Sequence, residues 1–255
     1  QVIPSDVPGN LAMGLRQGAG IVLAMAPWNA PLILATRAIA TPLACGNTVI
    51  LKGSELSPAT HSFDADLQQA AAGAIFGAFA NAGQICMSTE RIIVDESIAD
   101  EFVALISQRA AALPSTLLGP VVDMKTVQRC NALIDDALNK GARLLCGGKA
   151  ESTQMRATLL DGVTREMRIW HEESFGPVKS VIRVNGEEEA LAVANDSEYG
   201  LAAAVYSRDT ARAWNVSQNL QTGICHINGP TVHDEAQMPF GGCKSSGYGR
   251  FGGRA

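Results

Sequence analysis

The chain has 255 residues, 47% of them hydrophobic, with 20 basic and 25 acidic side chains and a formal net charge of -5. That length can bury one large core or two smaller ones, and the scattered charges form no basic block for a phosphate backbone or a lipid surface, so neither nucleic acid nor membrane is expected as a partner. The longest apolar runs, 20–26 and 48–51, are too short to span a bilayer and the N-terminus lacks a signal layout, so a cytoplasmic protein is expected.

In chain order, 20–26 is an apolar run ended by Pro27, 31–44 is apolar with helical period, Gly46 stops it, and 48–51 is a second apolar run. This pattern predicts strand, helix, strand. An Ala-rich helix is predicted over about 65–79, a strand over 91–94 and a helix over 99–112. A further helix over 126–140 runs through Gly141 into a strand at 142–146. The stretches 187–194, 201–206, 210–219 and 223–227 then read as helix, strand, helix, strand. Repeated alternation of this kind implies an α/β fold with a mostly parallel sheet, without internal repeats or a low-complexity linker. Ligands of open parallel sheets collect at the carboxyl ends of strands. Asn29 follows the first strand, Lys52 and Glu55 follow the second, and Cys86 follows the Ala-rich helix; the stretches 171–175 and 240–253 are expected in similar loops.

The six cysteines, Cys45, Cys86, Cys130, Cys146, Cys225 and Cys243, show neither metal-ligand spacing nor a disulfide framework. No metal site is expected, nor do His171, His226 and His233 have the spacing of one. An isolated Cys is usually a small core residue, and five of the six are read so. Cys86 differs through its context.

Five motifs occur in one order: Pro27-Trp28-Asn29, Lys52-Gly53-Ser54-Glu55, Gly83-Gln84-Ile85-Cys86, Glu172-Glu173-Ser174-Phe175-Gly176-Pro177, and Pro239-Phe240-Gly241-Gly242 followed by Lys244, Ser246-Gly247 and Gly249-Arg250. Each alone is weak; together they resemble the aldehyde dehydrogenase superfamily over nearly the whole chain. The stretch 227–235 and the ending 249–253 are similar to bacterial aromatic-aldehyde members, especially salicylaldehyde dehydrogenases, and also to vanillin and benzaldehyde dehydrogenases.

The resemblance implies parts of a Rossmann-like cofactor domain at 1–61, an α/β catalytic domain at 62–244 and a C-terminal return segment at 245–255. It implies NAD-dependent oxidation of an aromatic aldehyde to its acid by a homodimer or homotetramer. Cys86 would be the nucleophile, because a thiolate is the best side-chain group for adding to an aldehyde near neutral pH. Asn29 would donate its side-chain amide to the resulting oxyanion. Among the residues assigned to the cofactor, Trp28 flanks the site, Lys52 and Glu55 would meet the adenosine ribose, Glu173 the nicotinamide ribose, and Phe175 would pack near the ring. The Glu55 carboxylate would repel a ribose 2′-phosphate, which favours NAD over NADP. Ile85, Met87 and Phe240, together with Trp28, would wall the substrate pocket.

Plainer readings stand beside these. Asn29 could cap a helix, and Lys52, Glu55 and Glu173 could be solvated charges. The sequence also departs from the family after Pro58-Ala59-Thr60-His61. The family continues there through the rest of the cofactor domain to a Glu-Leu-Gly-Gly stretch whose Glu is the general base; here Ser62 follows at once, and Glu-Leu-Gly-Gly occurs nowhere in the chain. A smaller loss is expected near 115–118, and the family's N-terminal region and final strand have no counterpart. Deleting inner strands from a doubly wound sheet would bare apolar faces, so we expect these residues to belong to a longer protein, with His61 and Ser62 farther apart than one peptide bond. The alternatives are a coenzyme A-acylating member, in which thiolysis replaces hydrolysis, and a non-catalytic fragment.

Overall fold

The computed structural model describes residues 65–235 and 237–250 with their side chains and, elsewhere, the backbone of five short strands. The chain forms two compact units, one of 1–65, 234–240 and 250–255, the other of 66–233 and 241–249. The His61–Ser62 junction and the helix predicted over 31–44 lie outside the described residues.

In the first unit, β1 (Val2–Ile3) pairs antiparallel with β2 (Ala12–Met13). The apolar runs expected to be strands are strands: β3 (Ile21–Met25) lies parallel to β4 (Thr48–Lys52), with Ile21 opposite Thr48 and Met25 opposite Lys52. Because the two strands run in the same direction, both end at a common edge.

The second unit opens on α1 (Leu67–Phe79), where the Asp66 carboxylate accepts from the backbone N–H of Gln68 at 2.9 Å and Gln69 at 3.1 Å. Such a cap satisfies donors that the first turn leaves without partners. The buried face of α1 is made largely of Ala70, Ala71, Ala74 and Ala78, small enough for a close approach to α2. β5 (Arg91–Asp95) alternates, burying Ile92 and Val94. α2 (Glu96–Ala111) starts three residues before the expected position because Asp95 caps it, accepting from Ser97 N at 3.0 Å; the charged first turn hides the apolar period there. Then come α3 (Ser115–Leu118), α4 (Met124–Asn139), β6 (Arg143–Cys146), β7 (Thr158–Asp161), α5 (Arg168–His171), β8 (Val178–Val184) and α6 (Gly186–Asn195).

These strands form a sheet in the order β5-β8-β7-β6, parallel except for β6. Its two faces carry separate cores. Leu159 and Val181 pack with α1 and α2, while Leu160, Val178, Ile182 and Val184 pack with Val127, Leu133 and Ile134 of α4. Burial on both faces explains why β7 and β8 show no simple alternation in sequence. A smaller region follows: β9 (Tyr199–Gly200), then β10 (Ala202–Val205) parallel to β11 (Ile224–Ile227), with α7 (Thr210–Asn219) between them. β12 (Pro239–Phe240) belongs to the first unit, and β13 (Cys243–Lys244) pairs with β9. No described helix is long and apolar enough to cross a membrane.

Asp161, whose side chain is fully buried at the end of β7, joins the fold to pH. It accepts from Arg183 Nε and Nη2 at 3.2 Å each and from Arg143. Burial opposes its ionisation, but the hydrogen bonds from Arg183 and Arg143 outweigh that and hold its pKa below the usual Asp value. A depressed folded pKa contributes stability that is present above the unfolded value, about 3.9, and is lost as pH falls through the folded one. The urea midpoint is therefore expected to drop below about pH 4, and Asp161→Asn to flatten that part of the profile.

Candidate active site

After Phe79 the chain reverses hand. Asn81, Ala82 and Gly83 take φ of 51°, 55° and 70°, a left-handed turn after a right-handed helix. Each non-Gly residue there costs about 1–2 kcal/mol, and such strain persists only where the surroundings fix it. Here they do. Ala82 is fully buried, and the Gln84 side chain works as a clamp: its Nε2 donates to the carbonyls of Asn81 at 3.2 Å and Pro120 at 3.3 Å, while its Oε1 accepts from Val122 N at 2.8 Å. Ser88 N closes the next turn onto Ile85 O at 2.8 Å, and Thr89 N ties back to Gly77 O at 3.0 Å. Cys86 sits in that turn, exposed, between half-buried Ile85 and Met87.

The other described thiols differ. Cys130 is buried and Cys146, Cys225 and Cys243 are partly so. Burial pushes the Cys130 and Cys225 thiols up to about 11 and raises Cys146 as well, which keeps them protonated and unreactive at neutral pH. Cys45 lies outside the described residues.

The stretch 172–177 forms a second loop against the first. Ser174 and Gly176 are buried, whereas Glu173 and Phe175 are exposed, Phe175 in a left-handed conformation with φ 41°. Ser174 anchors the loop: its N–H donates to Glu90 Oε2 at 3.0 Å, its hydroxyl to Glu90 Oε1 at 3.1 Å, and its carbonyl accepts from Arg129 Nε at 3.1 Å. The Lys179 ammonium, fully buried, is paired with the same carboxylate and reaches Ser174 Oγ at 3.2 Å. Partial burial, with the Glu90 charge adding to it, raises the Glu173 carboxyl above its ordinary value. A Cβ on Gly83 would lie 2.3 Å from Gly176 O, so the two loops touch backbone to backbone. Gly83→Ala meets both a left-handed φ and that carbonyl, and is expected to lose about 2 kcal/mol or more of stability in urea unfolding.

Asn228 brackets Ser207 through two 2.9 Å hydrogen bonds, and Thr231 Oγ1 lies 2.8 Å from Thr89 Oγ1. His226 and His233 meet edge to face at 5.9 Å. Among the described residues no group of three or more His, Cys, Asp or Glu could hold a metal.

The structure thus brings together Cys86, Ile85 and Met87 on one turn and Glu173 and Phe175 on the adjoining loop. Lys52 ends β4 and Phe240 lies in β12, both in the other unit; Trp28, Asn29 and Glu55 lie outside the described residues. One expectation is corrected. The loops of Cys86 and Glu173 sit at the amino ends of β5 and β8, not the carboxyl ends, as the pairing of Arg91 with Ser180 requires. At the carboxyl ends Asp95 caps α2 directly and α6 begins at Gly186, so no loop is free there. Glu90, Lys179 and Arg129 were missed by sequence reasoning; the signal for them is a Lys and a Ser interrupting the apolar strand 178–184.

The aldehyde dehydrogenase family model matches residues 1–63 and 62–255. The chain belongs to the aldehyde dehydrogenase family. Vanillin dehydrogenase of Pseudomonas fluorescens is 48% identical over 340 residues, covering 100% of this chain and 70% of that protein. The crystal structure of a salicylaldehyde dehydrogenase from Pseudomonas putida G7 complexed with salicylaldehyde is 39% identical with a TM-score of 0.72, covering 100% of this chain and 70% of that one. A Mycobacterium tuberculosis aldehyde dehydrogenase complexed with NAD+ is 29% identical with a TM-score of 0.70, covering 92% and 66%. The family match breaks at 62–63, and the alignment with the vanillin dehydrogenase runs over 340 positions against 255 residues here. The 255 residues therefore leave internal positions of that relative unmatched, and the break in the family match falls where the motif order departs from the family after His61.

Proposed function

We propose that this aldehyde dehydrogenase chain binds NAD and oxidises an aromatic aldehyde on Cys86. The observation that carries the reading is the exposed Cys86 thiol on the turn that directly follows the strained, clamped segment 81–83, which is itself held backbone to backbone at Gly83 against a loop that exposes Glu173 and Phe175. Relatives named for vanillin and salicylaldehyde support the aromatic substrate. The chemistry of the second loop fits a nicotinamide ribose: an exposed carboxylate to accept from hydroxyls and an exposed aromatic face beside it, both on a rigid backbone.

In this reading the Cys86 thiolate adds to the carbonyl carbon, forming the C–S bond as the π pair moves to oxygen. The Asn29 amide and the Cys86 backbone N–H donate to that oxygen. Nicotinamide, when bound, supplies the hydride acceptor. A thioester then remains on the Cys86 sulfur. Lys52 and Glu55 hold the adenosine ribose, the Glu55 charge disfavouring a 2′-phosphate; Trp28, Ile85, Met87 and Phe240 wall the pocket. We place the protein in the cytoplasm as a homodimer or homotetramer, with residues 1–61 as the partial cofactor domain.

Hydrolysis of the thioester needs an activated water, and the Glu-Leu-Gly-Gly stretch that carries the base in the family does not occur among the 255 residues. Rapid mixing of the chain with NAD and salicylaldehyde is expected to give at most about one NADH per Cys86, with an acyl adduct on the Cys86 peptide by mass analysis. Steady turnover instead would place a working base elsewhere in the protein, and turnover only on adding coenzyme A would favour the acylating alternative. Absence of both NADH and adduct would refute the reading.

A further inference from the structure

Lys179 is a charged side chain with no exposed surface in a strand whose other residues are mostly Val and Ile, and its counter-ion Glu90 lies four residues beyond Cys86. Buried ion pairs add little net stability compared with apolar residues of similar volume, so packing alone does not account for the choice. The pair's other contacts do. Glu90 receives both the N–H and the hydroxyl of Ser174, and Ser174 Oγ in turn accepts from the Lys179 ammonium at 3.2 Å and the Gly176 N–H at 3.3 Å. Ser174 stands between the exposed residues Glu173 and Phe175 of the loop.

We propose that Glu90, held by Lys179, is a positioning residue that fixes the Glu173–Phe175 loop in register with the turn carrying Cys86. The carboxylate is an effective holder because it offers acceptors to two donors of one residue while its own charge is compensated from below. The consequence for cofactor binding rests on the reading of Glu173 and Phe175 given above; the positioning itself does not.

The double variant Glu90→Gln/Lys179→Met tests it, since removing both charges leaves neither buried and unpaired. Hydrogen–deuterium exchange of the 173–176 amides is expected to quicken by about tenfold or more, with α1 and β8 unchanged. The Kd for NAD, read by fluorescence titration, should rise about tenfold, while alkylation of Cys86 by iodoacetamide stays within about twofold. If the double variant fails to fold, Ser174→Ala removes the hydroxyl links and leaves the ion pair, and should still quicken exchange at 173–176. Unchanged exchange in a folded variant overturns the proposal, as does loosening spread evenly over the sheet. Glu173→Ala separates the two readings: an unchanged Kd for NAD there refutes the cofactor role, whereas a weakened Kd there with the double variant binding normally refutes the positioning role.

Discussion

Cys86→Ala is expected to reduce NADH formation from an aromatic aldehyde by about a thousandfold or more, to background. Alanine cannot form the C–S bond, so the tetrahedral adduct from which hydride leaves never arises, and no other described thiol can substitute. Burial pushes the Cys130 and Cys225 thiols up to about 11, so they stay protonated at neutral pH, whereas Cys86 is exposed on a turn. NAD affinity should be nearly unchanged, which distinguishes loss of the nucleophile from loss of the site. The substitution is small, and Cys86 is exposed, so the thermal midpoint should stay within a degree or two of the parent, roughly the range of neutral surface changes. Substantial NADH formation in the variant would remove Cys86 from the chemistry.

The largest stability effect is expected for Glu90→Ala. Lys179 then keeps only Ser174 Oγ as a partner, in a position with no solvent exposure. Breaking one side of a buried pair costs about 3–5 kcal/mol, and for a folding unit of this size that lowers the thermal midpoint by roughly 10 °C. Lys179→Met in the same background should recover most of the loss, because it removes the stranded charge and leaves an apolar side chain of similar length on the sheet face that also buries Val181. No recovery would mean that the Glu90 hydrogen bonds to Ser174, not the stranded ammonium, account for the loss.

The structure accounts for which parts of this chain could be read in advance. The strands 21–25 and 48–52, the five longer helices of the second unit and the strand at 91–95 carry local signals, an apolar run, a 3.6-residue period or an Asp cap before a first turn, whereas the one-turn helices α3 and α5 carry none. β7 and β8 carry none that is decisive. Their residues are buried on both faces, and several polar ones, Lys179, Ser180 and Asp161, are satisfied by groups far away in sequence, Glu90 among them and the Arg183 guanidinium for Asp161. Cys86 was legible because its neighbours form a recognisable motif. The left-handed segment that precedes its turn was not, since Ala82 gives no sign of a positive φ, which is held in place by the Gln84 clamp and the packed loop.

The sequence by itself determined the alternation of helices and strands, the family, and the order of motifs that points to Cys86, because periodicity, capping and motif chemistry are written within a few residues. Only the tertiary structure decided that the Cys86 and Glu173 loops share the amino edge of the sheet, that Gly83 meets Gly176, and that Glu90 holds Ser174 over a buried lysine. These contacts join residues about ninety positions apart, and a buried charge can be placed only when its partner's position in space is known.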